Sequence, residues 1–314
     1  MKLKRYFWPV VATATIVLSV WLLLRELHGL SLEKVGDSLA AIPALHWVCA
    51  GISTLVAYAA LAGYDRVALL HLGKRIGWLF ITICSFTTYA LSHNIGASVV
   101  SGGVVRYRAY STKGLSPAEI GLLVAFCSFT FILGTVTLIG VVLVIDPDVV
   151  LRFADLLPLS ASRATGVFLL LLVALYLIGS LLRLRPLHIG RFAIVYPSLH
   201  VTLSQIAVGA SELLGAAGII YFALPEAGNP GYLIVLGIFL MSFSAALISH
   251  VPGGLGVLEL VFLMGLPDMA DADVIAALLV FRLFYLIVPL VMAVVVVLLF
   301  ERSRFRSEDV NDEI

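Results

Sequence analysis

Apolar residues in this chain come in long continuous runs rather than in stripes. The long runs occupy residues 7–24, 42–63, 76–91, 118–145, 166–182, 202–224, 232–248 and 274–300. A helix needs about 20 apolar residues to cross the hydrocarbon of a bilayer. Two further runs, 94–105 and 253–266, are apolar and glycine-rich but too short to span with ease. The pattern predicts an all-α polytopic transmembrane helix bundle, with about eight long spans and two short or re-entrant helices. Composition supports a lipid solvent. Hydrophobic residues make up 61% of the chain and charged residues only 12%, against about 25% charged in soluble domains. The first run, flanked by Trp8 and Trp21, reads as an uncleaved span more readily than as a signal peptide, because no A-x-A site closes it.

The few charges are unevenly placed. With the N-terminus inside, one set of loops holds Lys2, Lys4, Arg5, Arg66, Lys74, Arg75, Arg106, Arg108, Lys113, Arg183, Arg185, Arg191, Arg302, Arg304 and Arg306. The other set holds Arg25, Lys34, Arg152 and Arg163 beside Asp146, Asp148, Asp155, Glu226, Asp268, Asp271 and Asp273. By the positive-inside rule, both termini then lie on the cytoplasmic side of the membrane. A net charge of +1 leaves no footprint for nucleic acid. Cys49, Cys84 and Cys127 all fall in apolar runs and make no C-x-x-C. They read as small buried hydrophobes, with no disulfide framework, metal site or cofactor indicated.

The chain also resembles itself. Ala90-Leu-Ser-His-Asn-Ile-Gly matches Leu247-Ile-Ser-His-Val-Pro-Gly, with His93 and His250 separated by half of the 314 residues. Each copy precedes a short glycine-bearing run, a polar turn and a long span. The pattern predicts an inverted repeat with halves 1–157 and 158–300, followed by a charged, disordered cytoplasmic tail, 301–314. Interrupted helices at matching positions are a mark of transporter binding sites.

Candidate chemistry gathers at these points. Ser92, His93 and Asn94 in one half, and Ser249, His250, Gly253 and Gly254 in the other, are expected at helix breaks lining a wet cavity. Close packing through small residues is the competing reading. Arg106, Tyr107 and Arg108 follow Gly102 and Gly103. Two guanidinium forks near flexible backbone suit an anionic headgroup; ordinary topogenic charge is the alternative. Glu259 and Arg282 are intramembrane charges expected to pair, as a staple or a gate. Glu212 is a third membrane-depth charge, suited to a cationic group or a proton. His93 and His250 could serve proton coupling, or simply be hydrogen-bonded structural groups.

The segments Ser92-His-Asn-Ile-Gly, Gly102-Gly-Val-Val-Arg-Tyr-Arg-Ala-Tyr-Ser-Thr-Lys-Gly-Leu-Ser and Ser249-His-Val-Pro-Gly-Gly-Leu-Gly-Val-Leu-Glu resemble the membrane region of bacterial lysylphosphatidylglycerol synthase/flippase proteins, and its stand-alone forms. The resemblance covers essentially the whole chain. In fused members that region is assigned to moving aminoacylated phosphatidylglycerol between leaflets, and a separate soluble domain transfers the amino acid. The chain stops at Ile314, soon after its last span. The resemblance therefore implies translocation or binding of a membrane lipid, not lysyl transfer.

The expectation is a non-enzymatic lipid flippase for an anionic or aminoacylated phospholipid, working by alternating access. A separate lipid-modifying synthase is a candidate partner, and the oligomeric state stays open. No nucleotide-binding or hydrolase motif occurs. One alternative is a membrane-embedded lipid-linked transferase, for which Asp146-Pro-Asp148 is a weak acid pair that reads as a turn. The other is a non-catalytic scaffold for a lipid-modifying enzyme.

Overall fold

The structure, a computed structural model, describes residues 32–95, 98–153, 163–182, 187–189, 192–194, 196–249 and 254–312. The expected first span, 7–24, lies outside them, as do His250 and Gly253. A short helix α1 (Leu32–Ala41) leads into α2 (Ala44–His71), α3 (Trp78–Ile95), α4 (Ser98–Tyr110), α5 (Pro117–Ile145) and α6 (Arg163–Leu181). After these come α7 (Leu199–Ala223), α8 (Tyr232–Ser249), α9 (Val257–Gly265) and α10 (Asp271–Phe281). A π-helical segment, Arg282–Ile287, joins α10 to α11 (Val288–Asp312) without a break. The stretch from residue 301, expected from composition to be disordered, continues α11 as helix to Asp312. One element departs from the all-helical expectation: β1 (Leu187–Ile189) and β2 (Phe192–Ile194) form a small antiparallel hairpin with Leu187 opposite Ile194.

Among the described residues five helices are long and apolar enough to cross a bilayer: Ala44–His71, Pro117–Ile145, Arg163–Leu181, Leu199–Ala223 and Asp271–Phe300. The pattern of runs counted about eight. Of the other three runs, 7–24 lies outside the described residues, 232–248 appears among them as the shorter apolar helix Tyr232–Ala246, and in α3 Thr82, Ser85, Thr87, Thr88, Ser92, His93 and Asn94 dilute the apolar character. Helix starts are legible in the sequence where capping is strong. Ser116 accepts the Glu119 N–H, the Glu119 carboxylate accepts the Ser116 N–H at 2.8 Å, and Pro117 opens α5.

The most extensive packing is between α2 and α7, which run antiparallel. A Cβ on Gly215 would lie 2.7 Å from the Ser53 carbonyl, and one on Gly63 would lie 2.7 Å from Val208. Small residues thus let the two backbones approach closely. The α5–α7 crossing is tighter still, with Gly134 placed directly against the backbone of Gly209.

Each short helix folds back on its predecessor. In the first hairpin, Phe80 at the start of α3 meets Tyr110 at the end of α4, ring centroids 5.9 Å apart. Gly102 packs on Thr88 and Ser92 near the bend. In the second hairpin, Gly265 at the end of α9 packs on Ile238 in α8. Gly254 and Gly256 take left-handed conformations in the connection (φ 63° and 76°), where a side chain would be strained. These folds bring Lys74, Arg75, Arg108 and Lys113 to one end of the bundle. There, Lys74 pairs with Glu119 at 2.6 Å and Lys113 covers the Phe80 ring at 4.7 Å.

Large apolar side chains are exposed along the outer helices, including Val167, Phe168, Leu171, Leu172 and Leu175 on α6 and Val291, Met292, Val295 and Leu299 on α11. Soluble proteins rarely expose such continuous apolar faces. With the five candidate spans, they mark a multi-pass membrane protein.

Candidate functional site

Two buried ion pairs and one buried carboxylate stand inside this apolar bundle. The first pair joins α2 to α4. Arg106 donates to Asp65 Oδ1 from Nη2 at 2.6 Å and from Nε at 3.1 Å. The Tyr110 hydroxyl donates to Asp65 Oδ2 at 2.8 Å, and the Arg106 guanidinium lies 4.8 Å above the Tyr89 ring. Arg106 is 3% exposed and Asp65 0%. The fork expected to grip phosphate at the inner face is therefore closed on an internal carboxylate. Gly102, expected to open the backbone toward an anion, instead serves helix contact: a Cβ there would stand 3.2 Å from Thr88 and 3.4 Å from Arg106. Gly103 is half-buried, with only Val124 nearby, at 4.0 Å.

The second pair is the one the sequence suggested. Arg282 in the π segment donates from Nε to Glu259 Oε1 at 2.9 Å and also pairs through Nη2. The other Glu259 oxygen accepts the Gly256 N–H at 2.9 Å. The carboxylate thus ties the start of α9 both to its own connection and to the long last span. Removing one partner from a buried pair leaves an uncompensated charge, at a cost of about 3–5 kcal/mol.

Glu212 on α7 differs from both. It is 1% exposed, and its partners are phenols: the Tyr285 hydroxyl donates to Oε1, and the Tyr64 hydroxyl lies 3.5 Å from Oε2. Among the described residues no cation pairs with it. Asp65 and Tyr64 are adjacent on α2, so neighbouring residues serve the Arg106 pair and the Glu212 carboxylate.

The π segment organises this centre. A π-bulge disturbs the regular ladder and recurs at functional sites. Here side chains from other helices donate into it: the Tyr58 hydroxyl to the Tyr285 carbonyl at 2.9 Å, and the Asn94 amide to the Leu286 carbonyl at 3.2 Å. Asn94 also donates to the Ala90 carbonyl at 2.8 Å. His93 stacks on Tyr285, centroids 5.2 Å apart and planes 16° from parallel, and its Nδ1 is buried with no hydrogen-bond partner. Ser92 donates weakly to the Tyr89 carbonyl at 3.4 Å. Helix α3 runs through Ser92, His93 and Asn94 to Ile95. The interruption expected at these residues does not fall on them, since all three lie within the helix. Ser249 closes α8 and lies just before the second connection.

Among the expected site residues, the structure brings together His93, Asn94, Glu212 and Arg282 through Tyr285 and its π segment, with Glu259 attached through Arg282. Tyr107 is 49% exposed on the outer side of α4, and Arg108 is half-buried on a flank of the bundle. The expected wet cleft between halves is not open among the described residues, since Asp65, Arg106, Glu212, Glu259 and Arg282 are all buried against protein partners. Reading the sequence missed Asp65, Tyr64, Tyr89 and Tyr285. Asp65 offered a signal, an acid just past the apolar run 42–63, but its neighbour Arg66 made the pair look like a membrane-surface turn. Asp146 and Asp148, the weak acid pair, lie where α5 ends and a 3-10 turn begins. Among the described residues no cluster of three or more His, Cys, Asp or Glu could hold a metal ion.

The architecture and its buried charges define a multi-pass helical membrane protein with a polar centre at membrane depth. No established family profile matches the chain. It is 31% identical over 308 residues to the uncharacterized protein slr0712 of Synechocystis sp., covering 98% of this chain and 95% of that one. It is 31% identical over 264 residues to the inner membrane protein YbhN of Escherichia coli, covering 82% and 81%. The chain belongs to the family of YbhN. It is also 24% identical over 294 residues to the phosphatidylglycerol lysyltransferase of Staphylococcus aureus, covering 90% of this chain but 33% of that enzyme. The chain thus spans about one third of the lysyltransferase.

Proposed function

We propose that this protein moves an anionic or aminoacylated phospholipid between the leaflets of a bacterial cytoplasmic membrane, without itself catalysing a bond change. The observation that carries the reading is Glu212. A carboxylate at membrane depth is costly and calls for a cation or a proton. Asp65 and Glu259 each have an arginine, whereas among the described residues Glu212 has only Tyr64 and Tyr285. An ammonium on an aminoacylated headgroup, or a proton, is the chemistry that such a group receives.

The fold supports a mobile centre. Two antiparallel hairpins, α3–α4 and α8–α9, follow α2 and α7 at matching places in the chain, and α2 and α7 cross antiparallel at small residues. This is the arrangement that two inverted halves, 1–157 and 158–300, would produce, with the polar centre where they meet. In this reading Asp65–Arg106 and Glu259–Arg282 staple each hairpin to its neighbour, and rocking of the halves gives Glu212 access to the headgroup. The acyl chains stay in the bilayer. The clustering of Lys74, Arg75, Arg108 and Lys113 at one end favours that end as cytoplasmic. The relation to the lysyltransferase supports a lipid as substrate.

The test is leaflet exchange in liposomes holding the full-length protein and fluorescent phosphatidylglycerol or its lysyl derivative. Wild type should speed exchange above protein-free liposomes. Glu212→Gln should slow exchange of the lysyl lipid at least about tenfold, the weight of one charged contact. Exchange no faster than in empty liposomes would sink the proposal and leave the scaffold reading.

A further inference from the structure

A second feature lies on the flank of the bundle, away from Glu212. Helices α3, α4 and α11 enclose a slot of about 320 Å³, lined almost wholly by apolar atoms. Phe80, Thr87 and Leu91 form its α3 wall, Arg108 stands on its α4 wall, and Val297 and Phe300 close it from α11. From Phe80 to Leu91 the α3 wall rises roughly 16 Å, about the depth of one leaflet of a 30 Å hydrocarbon core. Its Phe80 end is the end at which Lys74, Arg75 and Lys113 gather.

Thr87 sets this slot apart from a passive furrow. Threonines in these helices regularly donate to the carbonyl four residues earlier, as Thr54, Thr82, Thr130, Thr135 and Thr137 do. The Thr87 hydroxyl does not. It is buried without a hydrogen-bond partner, on a residue 5% exposed that lines the slot. An unpartnered buried hydroxyl costs free energy unless a ligand meets it. A ligand that fits would have a long apolar chain, a hydrogen-bonding group at the depth of Thr87, and an anionic group near Arg108.

We propose that this slot seats one acyl chain of an anionic glycerophospholipid, with its phosphate on Arg108 and its ester oxygen on Thr87. The site deepens the lipid reading and rests on it only for the nature of the ligand. Its place on the flank, with Arg108 at the basic end, makes it an entry seat in the leaflet on that side. Phosphate is the recognised chemistry, and its source here is a lipid headgroup rather than free phosphate, because the slot is apolar.

The experiment uses the full-length protein in detergent, stripped of lipid and offered equal amounts of phosphatidylglycerol and phosphatidylcholine with identical chains. Native mass spectrometry counts the lipid retained. Wild type should hold one phosphatidylglycerol roughly tenfold more tightly than phosphatidylcholine. Arg108→Gln should abolish that preference, and Thr87→Val should weaken retention of both lipids. Arg163→Gln, which removes a charge from α6, should change neither. Arg108→Lys supplies a second variant should the first melt early by circular dichroism, and it should keep part of the preference. Equal retention of both lipids by wild type, retention unaltered by the Arg108 and Thr87 variants, or displacement of the lipid by inorganic phosphate would each overturn the proposal. Leaflet exchange measured on the same preparations tests the transport reading separately: a protein that binds as expected but exchanges nothing keeps the seat and loses the transporter.

Discussion

Asp65 on α2 holds the Arg106 guanidinium through two nitrogens and takes a third hydrogen bond from Tyr110. That arrangement satisfies the carboxylate within the protein and turns a residue suited to surface phosphate into an internal tie between two helices. It also separates the two neighbouring arginines by role. Arg106 holds the α3–α4 hairpin to α2, while Arg108 faces the flank.

Arg106→Gln should therefore damage the fold. Leaving Asp65 buried without its cation should cost about 3–5 kcal/mol, seen as a lower melting temperature or a loss of monodisperse protein in detergent. Asp65→Asn combined with Arg106→Gln should be less harmful than the single changes predict, because both charges leave together. Strict additivity would show that the pair does not interact as described.

The same logic applies to Glu259 and Arg282. A double-mutant cycle with Glu259→Gln and Arg282→Gln should give a coupling energy of about 0.5–3 kcal/mol. The coupling should survive added salt, since both groups are buried and screening reaches them poorly. A coupling that vanishes with salt would place the pair at the membrane surface.

Glu212 should tolerate Glu212→Gln in the fold, because its partners are neutral phenols and not a cation. Glu212→Lys should not be tolerated, as it would bury a charge with no partner among the described residues. Tyr285→Phe should cost about 1 kcal/mol for the lost hydroxyl contact. Thermal unfolding in detergent reads all three. Severe loss of fold in Glu212→Gln would point to a structural charge instead.

Close helix approach gives a contrasting pair. Gly209→Ala would place a Cβ 2.7 Å from the Thr130 carbonyl and should destabilise by about 1–3 kcal/mol through overpacking. Gly121→Ala on α5 meets nothing within 4 Å and should be neutral, or stabilise by up to about 1 kcal/mol. Unfolding midpoints of the two variants measure the difference directly.

The runs of apolar residues, by themselves, determined that this is a membrane protein of packed helices, and placed α5, α6, α7 and the long last span within a few residues, whereas α2 continues to His71, well past the run 42–63. Lipid gives a backbone no partner outside its own helix, so length and hydropathy are enough to find such elements. The Glu259–Arg282 pair was legible for the same reason, since isolated charges in hydrocarbon must find each other. Tertiary structure alone decided which polar groups meet across helices that are distant in sequence: Asp65 with Arg106, Tyr285 with Glu212, Asn94 with the Leu286 carbonyl. A tyrosine in an apolar run is as acceptable facing lipid as facing a carboxylate, and an acid beside an arginine reads as a surface turn until its helix is seen to continue past it. The π segment has one mark in the sequence, Pro289, which cannot donate to the Tyr285 carbonyl four residues back; only the tertiary structure shows that Tyr58 from α2 meets that carbonyl and Asn94 from α3 meets the next.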